Sequence, residues 1–151
     1  MNEQKMELNT ALVDLFNQIL KQEERHLAKG SHKDLSVSEI HLLDMARTGP
    51  EEEPLTMARL AGRVGISAGS LTVAVKALEQ KGYICRRKSE NDRRRVLVEL
   101  TEKGAAICRS HKVFHEKMVQ ALTERLTAPQ LDALCRALAV LDDYFKSETA
   151  L

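Results

Sequence analysis

Two groups of side chains carry the chemical possibilities of this 151-residue chain. His111 and His115 stand four residues apart in a stretch with helical patterning, so their imidazoles share one face, a usual way to offer a metal two ligands. Lys88, Arg93, Arg94 and Arg95, with Asp92 among them, form a basic run suited to phosphates and to an electronegative DNA groove. Paired helical histidines also serve as ordinary hydrogen-bonding residues, and basic hairpins as solvated strands. Spacing alone leaves both readings open.

Other chemistries find less support. There is no phosphate-binding glycine loop, no nucleophile elbow and no H-E-x-x-H, and nothing places a nucleophile beside His41 or His115. An enzyme is not expected. Cys85, Cys108 and Cys135 are odd in number, widely spaced and free of any C-x-x-C pattern, which argues against a disulfide framework and for a reducing cytoplasm. Cys108 and Cys135 read as small buried hydrophobes. Cys85, beside Arg86 and Arg87, offers a redox-sensitive thiol, although neighbours on a strand point to opposite faces. No apolar run approaches the roughly 20 residues of a membrane span, and residues 1–29 are amphipathic and charged, unlike a signal peptide. A cytosolic chain without a membrane partner is expected.

These side chains need elements to position them, and composition points to helices: 43% of residues are hydrophobic, 3% aromatic, and there are three prolines and seven glycines. Leu8, Leu12, Leu15 and Ile19 form one face of an N-terminal helix whose partner surface is not local in sequence, and Gly30-Ser31 stops it. A second helix starts near Ser36 or Ser38 with Glu39 in its first turn, and carries Ile40, Leu42, Leu43 and Met45 inward. Thr48 to Pro54 reads as an exposed connector. Thr56 caps a short helix ending at Gly65, and Ser67 caps another that stops at Gly82: helix, turn, helix. Residues 83–87 and 95–100 have strand composition and flank a polar tip, so the hairpin they form completes a winged helix. Thr101 caps a long helix, and a last one follows Pro129, with Leu131, Leu134, Leu138 and Leu141 predicted as a buried stripe. The expected fold is mainly α with a small β-hairpin wing. Residues 1–34 form an N-terminal dimerisation helix, 35–104 the winged helix-turn-helix, and 105–151 the C-terminal dimerisation helices.

Charge follows this division. The whole chain is +1, from 23 Lys and Arg against 22 Asp and Glu. Between Ser67 and Arg95, eight cations (Lys76, Lys81, Arg86, Arg87, Lys88, Arg93, Arg94, Arg95) face three acids (Glu79, Glu90, Asp92), so that segment is +5 and the remainder −4. The positive charge sits on the elements that would read DNA.

From Asp92 to Gly104 (DRRRVLVELTEKG), and at Leu60-Ala61, Val64 to Ser67, Ser70 to Thr72 and Leu78 to Ile84, the chain resembles the MarR family of bacterial transcription regulators. The resemblance implies a homodimer of winged-helix subunits reading a pseudo-palindromic operator on double-stranded DNA, mostly as a repressor released by a small ligand, a metal or cysteine oxidation. Asp92 and Arg94 match the family's wing pair, a carboxylate bracing the hairpin while an arginine enters the minor groove. The recognition helix departs from the family: Val73 follows Thr72 where many members carry Arg, which removes one guanine contact. The candidate DNA-binding residues are Ser67, Gly69, Ser70, Thr72, Val73, Lys76, Arg86, Lys88, Asp92, Arg93, Arg94 and Arg95, with Ile66, Leu71, Val75 and Leu78 facing the core. An A·T-rich operator is expected.

Residues 30–41 and 111–119 are further similar to the FabT-like branch, repressors of fatty-acid synthesis genes. That likeness implies an acyl chain on acyl carrier protein as co-regulator, strengthening operator binding, with Phe16, Ile19, Leu43, Phe114 and Met118 as candidate pocket residues. The same five side chains would equally pack a junction between parts. Zinc-responsive members of the family draw further ligands from the first two helices, and Glu24 and His41 stand at comparable places. With His111 and His115 they make a donor set sufficient for tetrahedral Zn2+. The candidate cofactors are accordingly an acyl ligand and Zn2+.

Overall fold

The computed structural model describes residues 2–30, 32–49 and 52–147. In chain order these form α1 (Glu3–Lys29), α2 (Val37–Ala46), β1 (Leu55–Thr56), α3 (Met57–Val64), α4 (Ala68–Gln80), β2 (Ile84–Lys88), β3 (Val96–Leu100), α5 (Glu102–Thr123) and α6 (Ala128–Ser147). The mainly helical fold with a hairpin wing is thus present. Ser31 of the first predicted helix stop, and Pro50 and Glu51 of the connector, lie outside the described residues.

The polar punctuation works as local physics requires. Ser36 and Glu39 make a reciprocal capping box at α2, and Thr56 and Ser67 accept the amides of Arg59 and Ser70 at the starts of α3 and α4. Gly65 ends α3 in the left-handed region (φ 74°), where a Cβ is strained. One strand escaped sequence reasoning: Leu55 and Thr56 add β1 to the outside of β3, giving an antiparallel sheet in the order β1-β3-β2. Two residues carry no alternation to read. Within the wing, Ile84 pairs with Leu100 and Lys88 with Val96.

The chain divides into two compact units, 1–111 and 112–151, so residues 1–34 fold in one unit with the winged helix. The core of the first gathers Ile40 and Leu43 from α2, Leu60 from α3, Leu71, Val75 and Leu78 from α4, Tyr83, Ile84 and Val98 from the wing base, and Ile107 and Cys108 from α5. Ile66, expected there, stays partly exposed in the turn after Gly65. Only Glu23 and Leu27 of α1 are buried, while Leu8, Leu12, Leu15 and Phe16 are exposed.

In the second unit α6 has no buried residue. Leu134 and Leu138 are about half exposed, so the predicted buried stripe is open in the single chain, and Cys135 is exposed rather than a buried hydrophobe. The spacing correctly marks an apolar face, but periodicity does not say whether the same chain covers it.

Candidate nucleic-acid interface

Helix α4 has two faces. Leu71, Val75 and Leu78 are completely buried, anchoring it in the core. The opposite face presents Gly69, Ser70, Thr72, Val73 and Lys76 to solvent, with Val73 72% exposed. Small residues allow close backbone approach, and an isolated apolar group among hydroxyls suits a thymine methyl. The Thr72 hydroxyl donates to the Ala68 carbonyl (2.8 Å) and that of Ser67 to Ser70 (2.9 Å), so Thr72 is left as an acceptor and Ser70 keeps its own proton to donate.

The wing tip is held by Asp92, with one change from the expected pairing. Its carboxylate accepts the backbone amide of Arg94 (3.0 Å) and lies 3.6 Å from the guanidinium Nε of Arg95. Arg95, not Arg94, is the ionic partner, because a turn this tight brings the Arg94 amide, rather than its side chain, to the carboxylate. The amide of Ser89 closes the tip on the Arg95 carbonyl (2.9 Å). Arg86 is also occupied: its guanidinium and backbone amide bind Glu79, tying the wing base to α4 and raising the arginine's pKa further. Arg87 binds Glu99 across the strands. Among the candidate DNA-binding residues Lys76, Lys88, Arg93 and Arg94 have no carboxylate partner within the described residues, so of that set these four keep charge available to a polyanion.

A second cluster lies in the same unit, away from this face. His41 Nε2 and His111 Nε2 both approach Oε1 of the buried Glu23, at 3.3 and 3.4 Å. His111 Nδ1 meets Asp44 Oδ2 at 2.6 Å. The Asp44 hydrogen bond raises the His111 pKa against the effect of burial. Burial pushes Asp44 up, but bonds from His111 and the Cys108 thiol hold it below its usual value. The buried Cys108 thiol rises to about 12 by desolvation and the neighbouring Asp44, which makes it unreactive. Asp44 Oδ1 is buried without a hydrogen bond.

The acid here is Glu23, and the predicted Glu24 is exposed. One residue turns a helix by about 100°. The signal was available, since Glu23 follows Ile19 by four and precedes Leu27 by four, continuing the inward stripe. Asp44 carried no such signal. His115 follows His111 by one turn of α5 and belongs to the second unit. Among the candidate pocket residues, Leu43 is wholly buried core, Ile19 is half-buried and Phe16 is 63% exposed, while Phe114 and Met118, half-buried, belong to the second unit.

Donor chemistry at this cluster fits zinc. The two imidazole nitrogens each lie 3.3 to 3.4 Å from one carboxylate oxygen, imidazole and carboxylate are donor types that zinc takes, and a carboxylate on the far nitrogen of a ligating histidine is the usual outer support.

Residues 35–96 match the MarR family. The transcriptional regulator ZitR of Lactococcus lactis is 33% identical over 97 residues, covering 62% of this chain and 67% of that protein. The crystal structure of Streptococcus pneumoniae FabT in complex with DNA is similar at a TM-score of 0.88 and 31% identity, over 95% of this chain and 98% of that one. A mutant MarR from E. coli complexed with operator DNA follows at 0.66 and 28%, over 87% and 91%. The winged helix is shared, and with it goes the placement of α4 and the wing. The chain belongs to the MarR family of transcriptional regulators.

Proposed function

We propose that this protein is a cytoplasmic repressor that binds a pseudo-palindromic operator as a homodimer, α4 entering the major groove and the wing an adjacent minor groove. The carrying observation is the coincidence of an exposed small-residue face on α4 with a wing whose Arg93 and Arg94 have no carboxylate partner among the described residues. A second copy would cover the apolar faces that each unit leaves open, at Leu8, Leu12 and Phe16 on α1 and at Leu134, Leu138 and Phe145 on α6. Val73 and the hydroxyls of α4 favour A·T-rich half-sites, and Arg94 favours the narrow minor groove that such sequences form. Titration of the dimer with its own upstream DNA over a range of salt tests this: a steep fall of log affinity with log salt is expected, and a flat dependence with no preference over scrambled DNA would refute it.

Likeness to FabT supports a long acyl chain, presented by acyl carrier protein, as the effector that strengthens operator binding. Mass spectrometry of what co-purifies, followed by titration with and without acyl carrier protein in its acylated form, tests that part.

A second reading is favoured by the convergence of His41 and His111 on Glu23: repression responsive to zinc. Glu23 and His111 would hold the ion, with His41 beside the same carboxylate, and His115 follows one turn along α5. Bound Zn2+ supplies a positive cross-link among α1, α2 and α5, while Asp44 keeps the His111 Nε2 lone pair facing the site. Glu23→Gln should abolish zinc uptake, and Glu24→Gln should not. Absence of zinc after metal loading, with unchanged DNA binding, removes this reading.

A further inference from the structure

The arginines of the winged helix fall into two sets. Arg63 donates to the carbonyls of Met45 and Arg47, at 3.0 and 3.1 Å, and Arg47, Arg86, Arg87 and Arg95 each meet a carboxylate, as Arg109 does on α5. Arg59, Arg93 and Arg94 have no acceptor for their guanidinium groups among the described residues. Arg93 and Arg94 sit on the wing tip, but Arg59 is on α3, the first helix of the helix-turn-helix. Arg59 and Arg94 nevertheless line the same open groove, of about 520 Å3, with Arg95 beside them and Met57 and Val96 on its wall.

We propose that this groove seats a backbone phosphate of the operator, on the strand that separates the major groove entered by α4 from the minor groove reached by the wing, and that Arg59 is its principal ligand from α3. The proposal rests on the DNA-reading function above and adds a contact that nothing in the sequence pattern singled out. Three observations converge on it.

Guanidinium groups facing one groove without a counter-charge repel, and an anion between them removes that cost. The groove also includes the first turn of α3, where Met57 and Ala58 occupy the first two helical positions and so lack intrahelical acceptors, while Thr56 already satisfies the Arg59 amide at 3.2 Å. The helix thus turns its positive end toward the same space. Position supplies the third: the groove lies between the wing strand β3 and the helix preceding the recognition helix. Between a major and a minor groove there is only sugar-phosphate backbone, and the first helix of this motif crosses it.

The test is an anisotropy titration of the full chain against its upstream duplex and a scrambled duplex of equal length, at several salt concentrations. Arg59→Ala is expected to weaken binding to both duplexes by roughly tenfold and to lower the salt slope by about one, with Tm unchanged and Arg59→Lys close to wild type in slope. An Arg59→Ala protein with wild-type affinity and slope, beside an impaired Arg94→Ala, overturns the phosphate contact and leaves the DNA-reading function standing. Loss of operator preference at constant slope makes Arg59 a base reader and also overturns it. A wild-type protein with no salt-dependent binding overturns the function and this contact together.

Discussion

The recognition face and the junction beneath it use the same residue types in opposite ways. On the face, Lys76, Lys88, Arg93 and Arg94 point outward without carboxylate partners among the described residues, and Val73 stands in solvent. At the junction the charges are met by partners within the protein. The Tyr83 hydroxyl, on a completely buried ring, donates to Asp34 (2.8 Å), so the His32 Nδ1 at 3.1 Å must donate to it. Lys81 bonds both oxygens of Glu39 and the Asp34 carbonyl, and Lys103 bonds the Lys81 carbonyl while lying 4.0 Å above the Tyr83 ring. Lys81 belongs to the +5 segment in sequence, yet its charge is consumed in holding the end of α4. Composition locates a basic region; compensation decides which of its cations are free to bind.

Substitutions should therefore separate into those that cost stability and those that cost DNA affinity. The largest effect is expected at Gly104, where an added Cβ would collide with the Tyr83 carbonyl oxygen, a backbone atom that cannot step aside. Gly104→Ala should destabilise by about 3 kcal/mol, read as a fall in Tm. Next comes Arg94→Ala, expected to weaken operator binding by roughly tenfold or more with Tm unchanged. If it melts early instead, the wing arginine is structural and the contrast fails. Tyr83→Phe leaves Asp34 and His32 without the hydroxyl and should cost about 1 kcal/mol in urea unfolding, with no change in salt slope.

The smallest effect concerns pH. The Tyr83 hydrogen bond holds Asp34 below the usual carboxylate range, and Glu39 stays low because Lys81 and Ser36 outweigh the upward push of burial. Depressed pKa values in the folded state mean that this stability is present above the unfolded carboxylate values near about 4 and is lost as pH falls through the folded ones. Unfolding midpoints should drop as pH is lowered from about 5 to about 3, and less steeply in Tyr83→Phe, which lacks the Asp34 part.

What could be read beforehand follows from how local each signal is. Ser36 with Glu39, Thr56, Gly65, Ser67 and Gly82 act within four residues, so the helix boundaries and the helix-turn-helix were legible. Burial of Leu71, Val75 and Leu78 followed from one helix period. The two-residue β1 was not legible, since its strand character comes from β3, more than forty residues away. Neither was the exposure of Leu134 and Leu138, because an apolar stripe does not name its partner. Glu23, not Glu24, meets the two histidines, a difference of one residue and so of about 100° around α1. Arg86 looked free because Glu79 lies on α4 and Arg86 on β2, and only the fold shows them closing on one another. Arg59 was missed for the converse reason: nothing in sequence reports that an arginine lacks a partner.

The most direct measurement is the slope of log affinity against log salt for the upstream duplex, taken for the wild type, Arg94→Ala and Arg87→Ala. Arg94 is uncompensated and Arg87 is held by Glu99. A steep wild-type slope that falls by about one in Arg94→Ala and stays unchanged in Arg87→Ala is the predicted result. Equal losses in the two variants, or a wild-type slope near zero, would contradict the claim that the uncompensated cations of α4 and the wing grip DNA.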